Sequence, residues 1–345
     1  MSDTIQQLTG AATLPRHTAA WSVEATSRPL PQTLVPAPRI AVLIPCRNEE
    51  STIAQVIDEF HAALANAIIY VYDNNSNDRT CLEARAAGAV VRHEPRQGKG
   101  HVVRRMFADV EADFFILVDG DATYDASAAP TMLRLLQDHQ LDMVTAARVT
   151  AEDKAYRRGH RFGNVVLSAI VRSMFGGRVT DVLSGYRAFS RRFVKSFPAL
   201  AGGFETETEF TVHALELRMP IAEIGAIYRL RPAGSQSKLH TWADGLRILR
   251  TILTLVKEAH PLLFFAASGS VLLLAALAIG GPVVLEFLRT GLVPRLPSAV
   301  LATGLVLLSS LTLVCGLVLE SVEQGRKELK RLAYLAIAAT PERDE

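Results

Sequence analysis

The stretch FFILVDGDATYD, residues Phe114–Asp125, carries the strongest signal for both the fold and a site. Its first five residues, Phe114–Val118, are apolar and predict a buried β-strand. Asp119 and Asp121 follow at once, and Asp125 comes shortly after them. Carboxylates this close together repel one another unless a cation or a hydrogen-bonded ligand compensates their charge. The stretch therefore predicts either a solvated turn or a metal site at the end of a strand.

Composition narrows the class of protein. The chain has 345 residues, of which 49% are hydrophobic, and its formal net charge is +2. A nearly neutral chain gives no reason to expect nucleic-acid binding, whereas the high apolar content favours a membrane-associated protein. The cysteines Cys46, Cys81 and Cys315 form no CxxC pair, so we expect neither a zinc site nor a disulfide framework.

Two long uncharged segments near the C-terminus predict membrane-spanning helices. Pro261–Leu285 and Leu296–Leu319 are each long enough to cross a hydrocarbon core of about 30 Å. A short segment separates them, so they should form a hairpin. Because basic residues lie mostly outside this hairpin, the positive-inside rule places both outer ends in the cytoplasm. The alternative is a pair of buried core helices, although these are usually shorter and amphipathic.

The chain divides into five predicted segments. Residues 1–38 are rich in proline and lack the apolar region of a signal peptide, so we expect them to be disordered. The others are a main domain at 39–238, an interfacial amphipathic helix at 239–260, two transmembrane helices within 261–320 and a cytoplasmic tail at 321–345.

Strand-like and helix-like segments alternate from residue 39 to about residue 235. Apolar runs such as IAVLIP at 40–45 and AIIYVY at 67–72 are separated by segments with helical spacing of apolar residues. This alternation predicts an α/β domain with a largely parallel sheet that is covered on both faces. Ligands bind to such sheets beyond the carboxyl ends of the strands.

Three polar loops follow the predicted strands and should meet at that edge of the sheet. They are PCRNEE at 45–50, DNNSNDRT at 73–80 and DGDATYD at 119–125. Each loop has a simpler explanation by itself, since Asn and Ser favour helix caps and Asx turns. Their joint occurrence at one edge predicts a ligand site.

The segment RQGKGHVVRR at 96–105 lacks the GxxxxGK[ST] pattern and is therefore not a P-loop. Its glycines, Gly98 and Gly100, would still let backbone amides approach an anion at a helix start. Lys99 lies between them and could reach a phosphate. The alternative is a flexible turn with a solvated lysine.

These motifs occur in an order that resembles one family. IPCRNEE, DNNSNDRT, GKG and VDGDATY are similar to the motifs of family 2 glycosyltransferases of GT-A type. The later segments DVLSGYRAFSRR, GGFETETEF and RPAGSQSKL, followed by two membrane spans, resemble the polyprenyl-phosphate glycosyltransferases, which include dolichyl-phosphate mannose and glucose synthases. The resemblance covers roughly residues 40–330. It implies a Rossmann-like GT-A domain of the nucleotide-diphospho-sugar transferase type with a C-terminal transmembrane hairpin.

The resemblance also implies how a nucleotide-sugar donor is bound. Asp119 and Asp121 would hold Mg²⁺ or Mn²⁺ on the donor diphosphate, where the dication stabilises the charge of the leaving group. A UDP-sugar is favoured over GDP-mannose, because the D-x-D-x-T-Y loop is similar to that of relatives that use UDP-sugars. The residues expected to bind the donor are Pro45, Arg47, Glu49, Asp73, Lys99 and Asp119. Among them, the resemblance implies that Pro45, Glu49 and Asp73 frame the base and the ribose.

A phosphate acceptor needs cations and hydroxyl groups near the membrane. The candidates are Arg187, Arg229, Arg231, Ser235, Ser237 and Lys238. Most of them lie in YRLRPAGSQSKL, directly before an amphipathic segment that resembles an interfacial helix. For Arg187 a structural ion pair is the alternative. For the segment it is a solvated basic loop followed by a core helix.

Asp181 and Glu207 are the candidates for the reaction centre. Either could act as a base or only position a substrate. Thr206 and Glu209 also fit a capping box, so some of this acidic cluster could serve only to start a helix. A phosphate acceptor is already anionic near pH 7 and needs no base, whereas a hydroxyl acceptor does.

The resulting hypothesis is an integral inner-membrane enzyme with a cytoplasmic catalytic domain and possible homo-oligomers. It would transfer a hexose, with inversion, from a nucleotide-diphosphate sugar to undecaprenyl or dolichyl phosphate. One alternative is a family 2 enzyme with a hydroxyl acceptor, either a glycolipid or a polysaccharide. The other is an inactive membrane scaffold, against which the intact acidic motifs argue.

Overall fold

The computed structural model describes residues 37–149, 158–176, 179–200, 205–230, 254, 257 and 260–338, with the backbone alone at 158–164 and 175. The first 36 residues and nearly all of the predicted interfacial helix at 239–260 lie outside this part of the chain. The same holds for four acceptor candidates, namely Arg231, Ser235, Ser237 and Lys238.

The described residues form seven strands and nine α-helices. The strands are β1 (Ile40–Cys46), β2 (Ala67–Asp73), β3 (Val90–His93), β4 (Phe114–Leu117), β5 (Met143–Val149), β6 (Arg187–Ser190) and β7 (Ile221–Ile227). The helices are α1 (Ile53–Ala63), α2 (Thr80–Ala86), α3 (Lys99–Asp109), α4 (Ala129–Asp138), α5 (Arg158–Phe175), α6 (Arg191–Ser196), α7 (Thr206–Glu216), α8 (Pro261–Thr290) and α9 (Leu296–Leu335). A short 3₁₀ helix at Ala126–Ala128 precedes α4.

The strands form one sheet in the order β3-β2-β1-β4-β6-β5-β7. The pairs β1–β2, β1–β4, β2–β3 and β5–β7 are parallel, as the alternation of segments predicted. The exception is β6, which lies antiparallel between β4 and β5. All four of its residues are buried, so no alternation of polar and apolar residues marks this strand in the sequence.

Both faces of the sheet are covered, which confirms the expected layered α/β architecture. On one face, Ile57 and Phe60 of α1 join Ile44 and Ile116 of the sheet in a buried cluster. The other face carries a cluster of aromatic rings, in which Phe189 stacks on Phe193 with 4.6 Å between the ring centroids. The strands are therefore fixed on both sides, and the loops at their carboxyl ends are held in place.

Helices α8 and α9 form a helical hairpin and pack against each other through small residues. A Cβ added at Gly316 would lie 2.9 Å from the Cβ of Phe265, and Ser309 Oγ donates a 2.8 Å hydrogen bond to the Gly269 carbonyl. Such close approach is typical of helices packed in a bilayer. In the most apolar stretch of each helix, only 11% and 17% of the residues are buried, whereas a core helix of a soluble protein is mostly buried. The hairpin therefore indicates association with a membrane.

Helix α9 continues well beyond its apolar part and contacts the main domain. The predicted tail at 321–345 begins as part of this helix, which ends only at Leu335. Lys330 Nζ lies 2.8 Å from Glu216 Oε2, and the Tyr334 hydroxyl donates a 2.7 Å hydrogen bond to Asp142 Oδ2. These contacts hold the end of α9 against the domain.

Candidate active site

The three polar loops meet at the carboxyl edge of the parallel strands, as the sequence predicted. The Glu49 amide donates to Thr80 Oγ1 at 2.9 Å and joins the first loop to the second. Thr52, which follows the first loop, donates from Oγ1 to the Gly120 carbonyl at 2.7 Å and so joins this segment to the third loop. The loops are therefore one interlocked unit and not three independent turns.

The residues expected to bind the base and ribose lie at the ends of two neighbouring strands. Cys46 at the end of β1 is paired in register with Asp73 at the end of β2, so Pro45 and Arg47 lie beside Asp73. The Asp73 side chain is buried, accepts a hydrogen bond from the Ser76 amide and lies 3.1 Å from His93 Nδ1. These contacts fix the Asp73 carboxylate at the site edge.

Asn74 connects the second loop to the segment that precedes α3. Its buried side-chain amide donates to the carbonyls of Glu94 and Arg96, at 2.9 Å and 2.8 Å. Its side-chain oxygen accepts a 2.8 Å hydrogen bond from the Gly98 amide. Three hydrogen bonds from one side chain thus determine where α3 begins. In the sequence, Asn74 is recognisable only as part of a polar loop.

Lys99, the first residue of α3, lies between two carboxylates. Its Nζ is 2.6 Å from Asp119 Oδ1 and 2.5 Å from Glu207 Oε1. Burial alone would lower the pKa of this ammonium group, but the charges of Asp119 and Glu207 outweigh burial and hold the pKa well above its usual value. The interpretation of Lys99 as a solvated lysine is therefore wrong. Lys99 is a fixed positive charge beside the D-x-D loop.

The SGYR segment packs directly on the D-x-D loop. A Cβ added at Gly185 would lie only 2.5 Å from Asp119 Oδ2, so a side chain at this position would displace the Asp119 carboxylate. The Gly185 amide donates to the Tyr124 hydroxyl at 2.9 Å. Tyr124 therefore links the two segments, a role that becomes visible only when they are brought together in space.

The second aspartate of the motif is also fixed. Asp121 is buried, and its Oδ1 accepts hydrogen bonds from the amide and the hydroxyl of Thr123. Thr123 thus orients the carboxylate. Asp125 has a different task, because its side chain accepts from the Ser127 amide and caps the 3₁₀ helix.

The oxygens of Asp119 and Asp121 are hard ligands of the kind that Mg²⁺ and Mn²⁺ prefer. Among the described residues no group of three His, Cys, Asp or Glu side chains is placed to hold a metal ion. Two carboxylates can suffice when phosphate oxygens and water complete the coordination shell. The ammonium group of Lys99 at Asp119 indicates that this position attracts positive charge. The donor set therefore fits a metal that binds together with a diphosphate.

Glu207 and Asp181 occupy different environments. Glu207 lies in the first turn of α7, is buried, and faces Lys99. Its Oε2 has no hydrogen-bond partner within the described part of the chain. Asp181 instead accepts from Nε and Nη2 of Arg148, both at 2.7 Å. Asp181 therefore holds Arg148 at the end of β5, and its role as a base stays a prediction.

The expectation that Arg187 contacts the acceptor is not met. The side chain is completely buried at the start of β6 and lies beneath the site. Its guanidinium donates to the carbonyls of Val182 and Ser184 and to Thr211 Oγ1. Burial lowers the pKa of Arg187 to about 10, and nearby carboxylates such as Glu207 oppose this effect. Arg187 is a structural residue, although its partners are mainly carbonyls and not the expected ion pair.

Arg229 is the one acceptor candidate that the structure describes near the surface. Its guanidinium forms ion pairs with Glu59, at 3.0 Å, and with Asp125, at 3.3 Å. Its backbone amide donates to the Thr123 carbonyl at 2.7 Å. Arg229 thus fastens the end of β7 to the D-x-D loop, while its part in acceptor binding stays a prediction.

The predicted capping box at Thr206 and Glu209 is wrong. Thr206 is the first residue of α7, and Glu205 takes the N-cap position without a side-chain capping bond. Glu209 Oε1 instead accepts a hydrogen bond from the Leu200 amide at 2.8 Å. The acidic cluster therefore serves two purposes: Glu209 fixes the preceding segment, and Glu207 faces the site.

Comparison with known proteins defines the class to which this fold and site belong. Residues 41–197 match the model of the family described as Glycosyl transferase family 2. A glycosyltransferase of Haloferax volcanii, AglJ, is 32% identical over 232 residues, which are 67% of this chain and 76% of that protein. The chain therefore belongs to the family 2 glycosyltransferases.

Two further similarities are more specific. A dolichyl-phosphate hexose transferase of Haloferax volcanii is 26% identical over 219 residues, which cover 64% of this chain and 94% of that protein. Glucosyl-3-phosphoglycerate synthase of Mycobacterium tuberculosis, solved with Mn²⁺, UDP and glucosyl-3-phosphoglycerate, matches with a TM-score of 0.52 and 25% identity. That match covers 64% of this chain and 80% of the solved chain. The predicted GT-A fold and the predicted enzyme class, a glycosyltransferase, are confirmed.

Proposed function

We propose that this glycosyltransferase transfers a hexose from a nucleoside-diphosphate sugar to polyprenyl phosphate at a membrane surface. The observation that carries the proposal is an acidic D-x-D site, with Asp121 buried and a fixed ammonium group at Asp119, on a chain that also has two apolar helices. A relative named for transfer of hexose to dolichyl phosphate matches over 94% of its length. One molecule thus has both a charged site that could bind a diphosphate with a metal ion and apolar helices that could bring the site to a lipid acceptor.

The donor lies across the ends of β1, β2 and β4. Pro45, Glu49 and Asp73 frame the base and the ribose, and Arg47 also contacts the donor; Pro45 and Asp73 lie at the ends of β1 and β2, and Arg47 and Glu49 lie in the loop that follows β1. UDP is the favoured nucleotide, which agrees with the UDP bound by the mycobacterial enzyme of similar fold. Lys99 contacts the diphosphate from the start of α3, where backbone amides also favour anions.

Asp119 and Asp121 hold Mg²⁺ or Mn²⁺ in this proposal. The dication supplies Lewis-acid stabilisation of the departing nucleoside diphosphate. The protein's own contribution is to fix the two carboxylates. Thr123 orients Asp121, and the close packing of Gly185 confines Asp119.

The acceptor phosphate approaches from the side opposite to the diphosphate, so the anomeric configuration inverts. A phosphate is anionic near pH 7 and attacks without a base, and positioning supplies most of the rate. Glu207 then positions Lys99, and Asp181 positions Arg148, without either carboxylate accepting a proton. Arg229, with Arg231, Ser235, Ser237 and Lys238 outside the described residues, neutralises the acceptor phosphate.

The proposed location is the inner membrane, with the catalytic domain in the cytoplasm. The basic residues after the second apolar segment support this orientation through the positive-inside rule. A homo-oligomer stays a prediction.

The test uses the full chain, purified in detergent, with labelled UDP-sugars or GDP-mannose, Mg²⁺ or Mn²⁺, and undecaprenyl phosphate. We expect label in an organic-extractable product that mild acid releases, and no product from the Asp121→Asn variant. If no donor labels the lipid while the chain is folded and binds UDP, the acceptor assignment is wrong.

A hydroxyl acceptor is the second candidate function. Its supporting observation is the buried Glu207 Oε2, which lacks a hydrogen-bond partner among the described residues and could accept a proton. The solved enzyme of similar fold contains glucosyl-3-phosphoglycerate. Glycolipid and soluble acceptors in the same assay distinguish the two functions. The Glu207→Gln variant should lose nearly all transfer to a hydroxyl acceptor, which needs a base, but not to a phosphate acceptor.

A further inference from the structure

The contacts of Lys99 carry an inference beyond its expected role as a phosphate ligand. Lys99 Nζ lies 2.6 Å from Asp119 Oδ1, which is an oxygen that a metal ion at the D-x-D loop would need. The other oxygen, Asp119 Oδ2, faces the backbone at Gly185, where even a Cβ would come within 2.5 Å. The Asp119 side chain is 33% exposed, but its two carboxylate oxygens thus lie against a cation on one side and closely packed backbone on the other.

Glu207 keeps the ammonium group in this position. Its Oε1 lies 2.5 Å from Lys99 Nζ, and both side chains are nearly inaccessible to solvent, at 6% and 10% exposure. Lys99 therefore cannot simply turn outward into water. It leaves Asp119 readily only when another anion takes the place of that carboxylate.

A dication and an ammonium group compete for the same oxygen and repel each other at short range. At a separation of a few ångströms this repulsion is only partly screened at the effective dielectric constant of such sites. A diphosphate removes the conflict, because it provides oxygens both for Lys99 and for the metal. The presence of the donor diphosphate therefore determines whether the metal can bind.

We propose that Lys99, held by Glu207, excludes divalent metal from Asp119 until a nucleoside diphosphate is present, so that metal and donor bind together. This inference rests on the metal and donor of the proposed function. Glu207 acts in it as a positioning residue for Lys99. The practical consequence is that the enzyme without donor should bind metal weakly.

The test is a titration of the full chain with Mn²⁺, followed by calorimetry or by the electron paramagnetic resonance of free Mn²⁺, with and without UDP. Without UDP, Lys99→Met should bind Mn²⁺ at least about tenfold more tightly than the wild type. UDP should strengthen Mn²⁺ binding to the wild type at least about tenfold more than it strengthens binding to the variant. Arg104→Met, which removes an exposed cation from the same helix, is the matched control and should behave as the wild type.

A second comparison covers the case in which Lys99→Met does not fold because Glu207 is left unpaired. The double variant Lys99→Met/Glu207→Gln is then compared with Glu207→Gln, and the same tenfold gain is expected, because a glutamine amide oxygen can still accept a hydrogen bond from Lys99 and its ion pair with Asp119 remains. If removal of Lys99 leaves Mn²⁺ binding without UDP unchanged or weaker in either comparison, the inference is wrong. If the folded wild type binds no Mn²⁺ even with UDP, the metal of the proposed function is wrong as well.

Discussion

The Gly185→Ala variant tests how closely the Asp119 carboxylate is confined. The added Cβ would lie 2.5 Å from Asp119 Oδ2 and 3.2 Å from Lys99 Nζ, whereas ordinary contact begins at 3.4 Å. The carboxylate must therefore retreat by about 0.9 Å, the difference between 3.4 Å and 2.5 Å. The atom that is displaced is the end of a side chain, so the backbone can keep its course.

A displacement of this size has unequal effects on catalysis and stability. Misplacing a catalytic group by about 1 Å can cost about 100-fold in rate. Overpacking by one methyl group typically lowers the free energy of unfolding by about 1–3 kcal/mol. We therefore expect hexose transfer to fall about 100-fold, while the melting temperature falls by only a few degrees.

The assay measures the initial rate of hexose transfer and the thermal unfolding of the same preparation. Gly325→Ala is the matched control, because a Cβ there meets nothing within 4 Å and alanine favours a helix. Wild-type activity in Gly185→Ala would refute the reasoning that Asp119 must stay where it is. Complete unfolding would instead show that the SGYR segment cannot yield at all.

Three further predictions concern buried polar residues of the domain. Arg187→Met should lower the free energy of unfolding by about 3 kcal/mol or more, because buried carbonyls lose a charged donor. An unchanged melting temperature together with weaker acceptor binding would instead support Arg187 as an acceptor ligand. Asn74→Ala removes three hydrogen bonds that hold the segment before Lys99, so the KM for the donor should rise about tenfold. An unchanged KM for the donor in steady-state kinetics would contradict this prediction. Burial, together with the charge of Lys330, lowers the pKa of His213 to about 3, so the unfolded chain takes up the proton first and stability is lost as the pH falls below 6.5. Denaturation at pH 7 and pH 5 should therefore show a loss of about 2 kcal/mol in the wild type that is absent in His213→Phe, and equal losses in both proteins would exclude His213 as the cause.

Much of the fold and of the site edge could be predicted because its signals are local. Continuous apolar runs such as Phe114–Val118 mark strands that are covered on both faces, and polar loops mark their carboxyl ends. Lys99, Asp119 and Glu207 were all identified as candidates from their motifs. The contact among them was not, because 20 residues separate Lys99 from Asp119 and many more separate it from Glu207.

The errors have the same physical origin. Arg187 follows a glycine and a tyrosine in SGYR and looks like a surface cation, but its strand lies in the middle of the sheet. Only the surrounding carbonyls reveal why a charge is tolerated there. Arg148 was missed because nothing in its own segment indicates that Asp181, 33 residues later, will bind it.

Helix α9 has a mechanical consequence for the enzyme. It runs without interruption from its apolar part to Tyr334, and the distance from Glu320 to Tyr334 along the axis is about 21 Å. Tyr334 and Lys330 contact the domain, so with the apolar part in a bilayer, as proposed, this helix would set the height of that contact above the lipid. Helices tilt further when the bilayer becomes thinner. A change in membrane thickness should therefore change the tilt of α9 and, through it, tilt the whole catalytic domain toward or away from the lipid surface.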